Sequence, residues 1–284
     1  MTSTIDHNIV CDLAKLTLLI YQYGKEFVIK DNSTIEEFIP NINNYKINEI
    51  EKELLISLSE SSPNGKVFKF YNVNSTDIQV GITISELNKR ISVIFRGTES
   101  WKDWYHDLLF YKNEIYDNIF IHSGFHRQLH YENTYEHIKY DILWLLKENP
   151  EYNIYITGHS LGGALATLFG YEISKEISND INIVSFGSPR IGDYNFKNDF
   201  NNIKNLKHYR ITNNNDIATA IPMINFYHVG TNIHIDDKNN DIYYNYSYYW
   251  YQYSLFKCYS IYDHNMINYY KNIIKYNWSD NDNQ

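Results

Sequence analysis

Three residue types, far apart in the chain, carry the chemistry this sequence can do. Ser160 stands between two glycines in Gly158-His159-Ser160-Leu161-Gly162, within NIYITGHSLGGALATLFGYEI. Strand-formers precede the serine and small residues open a helix after it, which is the strand–turn–helix setting of a nucleophile elbow. The flanking glycines remove Cβ atoms that would collide in so tight a bend. The first N–H groups of the following helix favour negative charge developing beside the serine. A serine hydroxyl is a weak nucleophile until a base takes its proton. A histidine and a carboxylate are therefore required, and in an elbow architecture the acid comes before the histidine. The chemistry indicated is transfer of an acyl group through the serine oxygen.

The acid is sought where a strand ends, because open α/β sheets collect functional groups outside the carboxyl ends of their strands. Strand 206–212 (LKHYRIT) runs into TNNNDIATAIP, and Asp216 lies just past its end. Asp193 and Asp199 are rivals, with Asp193 better suited to capping the helix that begins there. The base is sought among His228, His234 and His264. The first two fall with Gly230 and Asn232 on one face of an alternating strand, 226–235. His264, in YDHNMINYY, sits in a loop before a helix, where an imidazole can be aimed within ~3 Å of a serine oxygen. His264 is assigned as base and Asp216 as the carboxylate that orients it.

Several elements must hold these groups. A helix is expected over 12–22, strands over 66–73, 78–84 and 89–95, and helical spacing over 99–112. A strand at 119–122 leads to a long helix, 124–148, that ends before Pro150. Strand 153–157, helix 161–177, strand 181–186, helix 193–203, strands 206–212 and 226–235, and helix 265–276 complete the series. Strands that first cluster and then alternate with helices argue an α/β sheet, mostly parallel, with antiparallel strands at one edge. With no repeat and no Gly-, Ser- or Pro-rich linker, the 284 residues are expected to form a single domain, 1–284.

Taken together, these pieces resemble the class 3 lipases, the fungal-lipase-like branch of the α/β-hydrolases. The matching stretches run in order: IFRGTES (94–100), WKDWYHDL (101–108), HSGFH (122–126), ITGHSLGGALA (156–166), FGSPRIGD (186–193), the segment with Asp216 (215–222), HVGTNI (228–233) and DHNMINYY (263–270). The resemblance implies an α/β-hydrolase fold, with a mostly parallel central sheet, helices on both faces and antiparallel edge strands. It implies Ser160, Asp216 and His264 as catalytic triad, and Thr98 with Leu161 as oxyanion hole. It implies hydrolysis of lipid carboxylic esters, in the manner of a triacylglycerol lipase. A phospholipase A1, a short-chain esterase, or a lipase-like signalling or binding protein are the alternatives. FRGT fits the assignment on its own terms: Gly97 lets the chain turn and Thr98 presents its N–H, while Leu161, after the nucleophile, supplies the second donor.

The segment of about 99–112 reads as a lid. Trp101, Trp104, Leu108 and Leu109 share one side of a helix and Lys102, Asp103, His106 and Asp107 fall mainly on the other. The aromatic run 243–256 is a second candidate for meeting lipid, although 28 tyrosines spread through the whole chain make its cluster unremarkable.

Hydrophobic residues make up 43% of the chain and charged ones 21%, which fits a folded globule. The formal net charge of −9 excludes a phosphate backbone as a favoured partner, so no nucleic acid is expected. The expected partner is a lipid or ester substrate at a lipid–water interface. No cofactor and no metal are expected: His122 and His126 stand four apart but across a glycine turn, and no P-loop or dinucleotide fingerprint occurs. With two cysteines and no apolar run long enough for a signal or a span, the location expected is cytoplasmic or intracellular, peripheral at most to lipid surfaces.

Overall fold

Apolar residues on both sides of the same strand decide the architecture. In Arg90–Phe95 (β3), Ile91, Val93 and Phe95 enter one hydrophobic cluster and Ile94 enters another, and the whole strand is buried. A strand buried on both faces must lie inside a sheet covered by helices on both sides. The computed structural model describes residues 5–22, 66–73, 75–76, 78–98, 111–245 and 259–276.

The sheet contains eight strands among the described residues, in the order β1-β2-β3-β6-β7-β8-β9-β10. These are Lys66–Val73 (β1), Ile78–Ser85 (β2), β3, Asn153–His159 (β6), Ile181–Phe186 (β7), Leu206–Asn213 (β8), Thr231–Asp236 (β9) and Asp241–Tyr244 (β10). The run from β3 to β9 is parallel. Strands β1 and β2 add antiparallel at one edge and β10 at the other, so the antiparallel pairing expected at one edge occurs at both. Lys112–Tyr116 (β4) and Ile119–His122 (β5) form a separate antiparallel pair.

Helices cover both faces. His7–Gln22 (α1) and Met266–Lys275 (α6) pack on one side, where Leu13, Leu16, Tyr269 and Ile273 meet Ile94, Val184, Phe186 and Ile211. Ser123–His130 (α2), Thr134–Glu148 (α3), Leu161–Ser174 (α4) and Tyr194–Asn202 (α5) contribute to the cluster on the other side. Every residue of α4 is buried, so it is the central helix of that layer. Buried Arg90 pairs with Asp12 at 3.3 Å and fixes α1 against the sheet. No helix among the described residues is long and apolar enough to cross a membrane.

Two expected elements are differently built. The single helix expected over 124–148 is two helices joined by a 3-10 turn, Tyr131–Asn133, in which Glu132 and Asn133 take φ of 49° and 58°. Asparagine tolerates this left-handed region, and the chain changes direction there without losing its apolar spacing. The strand expected over 226–235 begins only at Thr231: Gly230, at φ 72°, ends the irregular approach, and only Tyr227 makes an isolated bridge there. Residues 99–110 and 246–258 lie outside the described residues. So do Trp101, Trp104, Leu108 and Leu109 of the expected lid and most of the aromatic run. At the lid's far end, Lys112 opens strand β4 rather than closing a helix.

Candidate active site

Strand β6 enters the site and α4 leaves it, with only Ser160 between them. Its backbone, at φ 58° and ψ −126°, is in a region that side chains rarely occupy. The turn survives because it is tied on each side. The Ser160 N–H donates to the Phe186 carbonyl at the end of β7, at 2.9 Å, and the Ser160 carbonyl accepts from Gly163 N–H at 3.0 Å. The glycines answer to close approach. A Cβ on Gly158 would stand 2.7 Å from the Phe95 carbonyl oxygen and closer still to Gly162, and one on Gly162 would enter the Phe95 and Arg96 backbone. The G-x-S-x-G spacing is thus the imprint of two chain segments crossing with no room for a side chain.

His264 Nε2 stands 2.8 Å from Ser160 Oγ, and its Nδ1 stands 2.9 Å and 3.0 Å from the two carboxylate oxygens of Asp216. A carboxylate accepts, so Nδ1 carries the proton and Nε2 turns its lone pair to the serine hydroxyl. The three side chains are 1%, 6% and 1% exposed for Ser160, His264 and Asp216. Asp216 is satisfied throughout: its Oδ1 accepts from Ala218 N–H at 2.8 Å, and Oδ2 accepts from the Tyr269 hydroxyl at 2.5 Å. The rivals lie elsewhere. Asp193 caps α5 by accepting from Phe196 N–H at 2.9 Å, and Asp199 pairs with Tyr171 and Lys175. His228 meets the Thr219 carbonyl and His234 the Thr212 hydroxyl.

The loops that bring the acid and the base are each tied to the sheet. Arg190, in FGSPRIGD, donates to the carbonyls of Ala220 and Pro222 at 2.7 Å and 2.8 Å and so holds the segment after Asp216. The 3-10 turn Tyr262–His264 is anchored to the end of β8. Asn213 donates to the Asp263 carbonyl at 3.0 Å, Asn215 N–H donates to the Asp263 carboxylate at 3.3 Å, and Ser260 N–H donates to the Asn215 carbonyl at 2.9 Å. The Asn213 side chain and the Asn215 backbone thus do for the histidine loop what arginine does for the acid loop.

Two residues of the site were passed over in the sequence. Tyr269, on the first turns of α6, reaches Asp216 and also accepts from Asn213 N–H at 3.2 Å. Its signal, a tyrosine five residues after the histidine, is lost among the chain's other tyrosines. His159, within the elbow itself, donates through Nε2 to the His264 carbonyl at 2.7 Å, while its Nδ1 accepts from the Tyr21 hydroxyl of α1 at 2.8 Å. Burial, and then the neighbouring His264, hold its pKa well below the ordinary histidine value, so it is neutral. It fixes the backbone of the histidine loop without sharing a proton with the serine.

Leu161 is buried at the first position of α4, where N–H groups have no carbonyl one turn back. Thr98 is half-buried and follows β3, whose Phe95 lies in register with Gly158 of β6. Both stand at the carboxyl edge of the parallel strands, on which Ser160 also sits.

A parallel sheet with an elbow serine at its carboxyl edge, an acid after a later strand and a histidine after the last one defines an α/β-hydrolase. Within that class the match is specific: residues 92–226, just under half of the chain, fit the model of the class 3 lipases. It is 26% identical over 179 residues to the secreted mono- and diacylglycerol lipase A of Penicillium cyclopium, covering 61% of this chain and 57% of the relative. It is 27% identical over 182 residues to the lipase of Rhizomucor miehei, covering 61% of this chain and 49% of that one. The chain therefore spans about half the length of these curated relatives. Its fold is that of lipase II from Rhizopus niveus, with a TM-score of 0.67 at 21% identity over 91% of this chain and 92% of the other. The Penicillium relative is a secreted enzyme, which overturns the expectation of a cytoplasmic or intracellular location. Cysteine count was a poor guide: a chain long enough to bury a large apolar core needs no disulfides to fold, so their scarcity does not report the compartment.

Proposed function

We propose that this chain is a serine hydrolase of lipid carboxylic esters, acting in the manner of a triacylglycerol lipase, and that its sheet and two helical layers form one domain. The single observation that carries the activity is the 2.8 Å separation of His264 Nε2 from Ser160 Oγ, with Asp216 behind the ring. In this reading Ser160 Oγ attacks the acyl carbonyl and gives its proton to Nε2. Asp216 holds the ring in the tautomer this needs and stabilises the imidazolium. The carbonyl oxygen becomes an oxyanion against the N–H groups of Thr98 and Leu161, each worth ~3 kcal/mol to such an intermediate. As the ester C–O bond breaks, His264 returns the proton to the departing alcohol. Water then gives a proton to the same nitrogen and attacks the acyl carbon, and as the C–Oγ bond breaks His264 returns that proton to Ser160 and the fatty acid is released.

The names of the Penicillium and Rhizomucor relatives support a lipid ester as substrate. The test compares hydrolysis of emulsified triacylglycerol, phosphatidylcholine and p-nitrophenyl butyrate by the wild-type chain and by Ser160→Ala. Triacylglycerol is expected to be cleaved fastest, and the variant to fall to the background rate on all three. A folded wild-type chain inert on every ester contradicts the reading, and cleavage of phosphatidylcholine with triacylglycerol untouched replaces it with a phospholipase A1.

A further inference from the structure

Away from the serine, one turn of helix α2 and the C-terminal half of α4 face each other with three metal-ligating side chains between them. His126 and His130 are four residues apart on α2 and therefore share one face. Their rings lie 4.5 Å apart, centroid to centroid. Opposite them Glu172 projects from α4, a helix buried along its whole length. One ligand atom from each of the three residues lies within 4.8 Å of the others. The spacing passed over in the sequence is His126 with His130. His122, weighed there instead, caps the start of α2 by accepting from Gly124 N–H at 3.2 Å.

The electrostatics of this cluster ask for a cation. Glu172 is 8% exposed, and a carboxylate that far from water needs a compensating charge. Its Oε2 lies 2.9 Å from His130 Nε2, yet that nitrogen has no aligned hydrogen-bond partner among the described residues. The two atoms are thus close without forming an aligned hydrogen bond. A divalent ion between the three groups offsets the carboxylate.

We propose that His126, His130 and Glu172 form a binding site for a divalent transition-metal ion, with zinc the best match, that ties α2 to α4. Two imidazoles and one carboxylate suit zinc in ligand type and number, with water in the fourth tetrahedral position. Tetrahedral zinc with bonds of about 2.1 Å sets its ligand atoms about 3.4 Å apart. The present separations, 2.9 Å between His130 Nε2 and Glu172 Oε2 and at most 4.8 Å among the three groups, bracket that value. The His130 side chain is 35% exposed overall, while its Nε2, on the Glu172 side, is shielded from water. Glu172 follows Leu161 by eleven residues on one helix, about 16 Å along its axis, so the ion acts on stability and not on the ester.

The experiment uses tag-free full-length chain stripped with chelator, titrated with zinc chloride by calorimetry and followed by thermal denaturation. Wild type is expected to take up one zinc per chain outside the serine site and to melt several degrees higher with zinc, but not with magnesium, which prefers all-oxygen ligands. His126→Asn, His130→Asn and Glu172→Gln are each expected to weaken uptake by about tenfold or more and to abolish the thermal shift. His264→Asn is expected to keep both. Far-UV circular dichroism checks folding; if Glu172→Gln fails to fold, the two partly exposed histidine positions decide. Absence of zinc uptake by wild type at submillimolar zinc, or unchanged uptake in the histidine variants, overturns the proposal.

Discussion

Tyr269 gives the sharpest test of how the acid is held. Its hydroxyl donates to Asp216 Oδ2 at 2.5 Å while His264 Nδ1 lies 3.0 Å from the same oxygen. Removing that donor leaves a buried carboxylate short of one charge-assisted hydrogen bond, worth ~1.5–3 kcal/mol. Part of that loss falls on the orientation of the imidazole. Tyr269→Phe is therefore expected to lower kcat by about tenfold or more with KM nearly unchanged, measured on a soluble ester. A fall in thermal stability with kcat intact would make the contact structural only. At this scale Ser160, Asp216 and His264 were legible because each has a positional reason: a bend, a strand end, a loop before a helix. Tyr269 and His159 were not. Their roles depend on which atoms the fold brings within 3 Å, and no local pattern distinguishes them from other tyrosines and histidines in the chain.

At the scale of elements, the fold places the base by pinning a short 3-10 turn to the end of β8. Asn213 is the principal pin, fully buried, donating to the Asp263 carbonyl at 3.0 Å and accepting from Asn272 of α6 at 2.8 Å. Asn213→Ala leaves the buried Asp263 carbonyl unsatisfied, at ~1–3 kcal/mol, and deprives half-buried Asn272 of its acceptor. The expected outcome is a lower urea midpoint together with a lower kcat, because the loop carrying His264 loosens. Unchanged activity in a destabilised variant would show that the loop keeps its aim without the pin. Strands such as β3, β6 and β7 were legible in the sequence because apolar runs bounded by turn residues leave few other options. The break between α2 and α3 was hidden, since Glu132 and Asn133 interrupt the backbone while the apolar spacing continues through them. The start of β9 was hidden for the opposite reason: alternation persists through 226–230, where the backbone does not follow it.

Over the whole molecule, buried neutral histidines make stability depend on pH. Desolvation is the main cause at both His159 and His208, followed by His264 for the first and Arg210 for the second, and both pKa values lie well below the ordinary 6.5. The unfolded chain gains a proton at each as pH falls through 6.5, and the folded chain does not. The unfolded state then binds more protons, so stability is full above that pH and declines as pH drops toward the folded pKa values, by up to about 1.4 kcal/mol per pH unit for each histidine. Urea midpoints measured from above neutrality down to about pH 5 are expected to fall below pH 6.5, and His208→Gln is expected to reduce the slope. A midpoint flat across that window would contradict the burial of neutral rings. Composition spoke truly of a folded globule and misled on compartment, because a cysteine count reports how a chain is stabilised more than where it works.

The central claim is that Ser160 is made nucleophilic by His264 and Asp216, and labelling with a fluorophosphonate probe tests it most directly. The account predicts that wild-type chain is modified at Ser160, located by peptide mass spectrometry, that Ser160→Ala is not modified, and that His264→Ala reacts orders of magnitude more slowly. Failure of the folded wild-type chain to react, or equal labelling of Ser160→Ala, would contradict it.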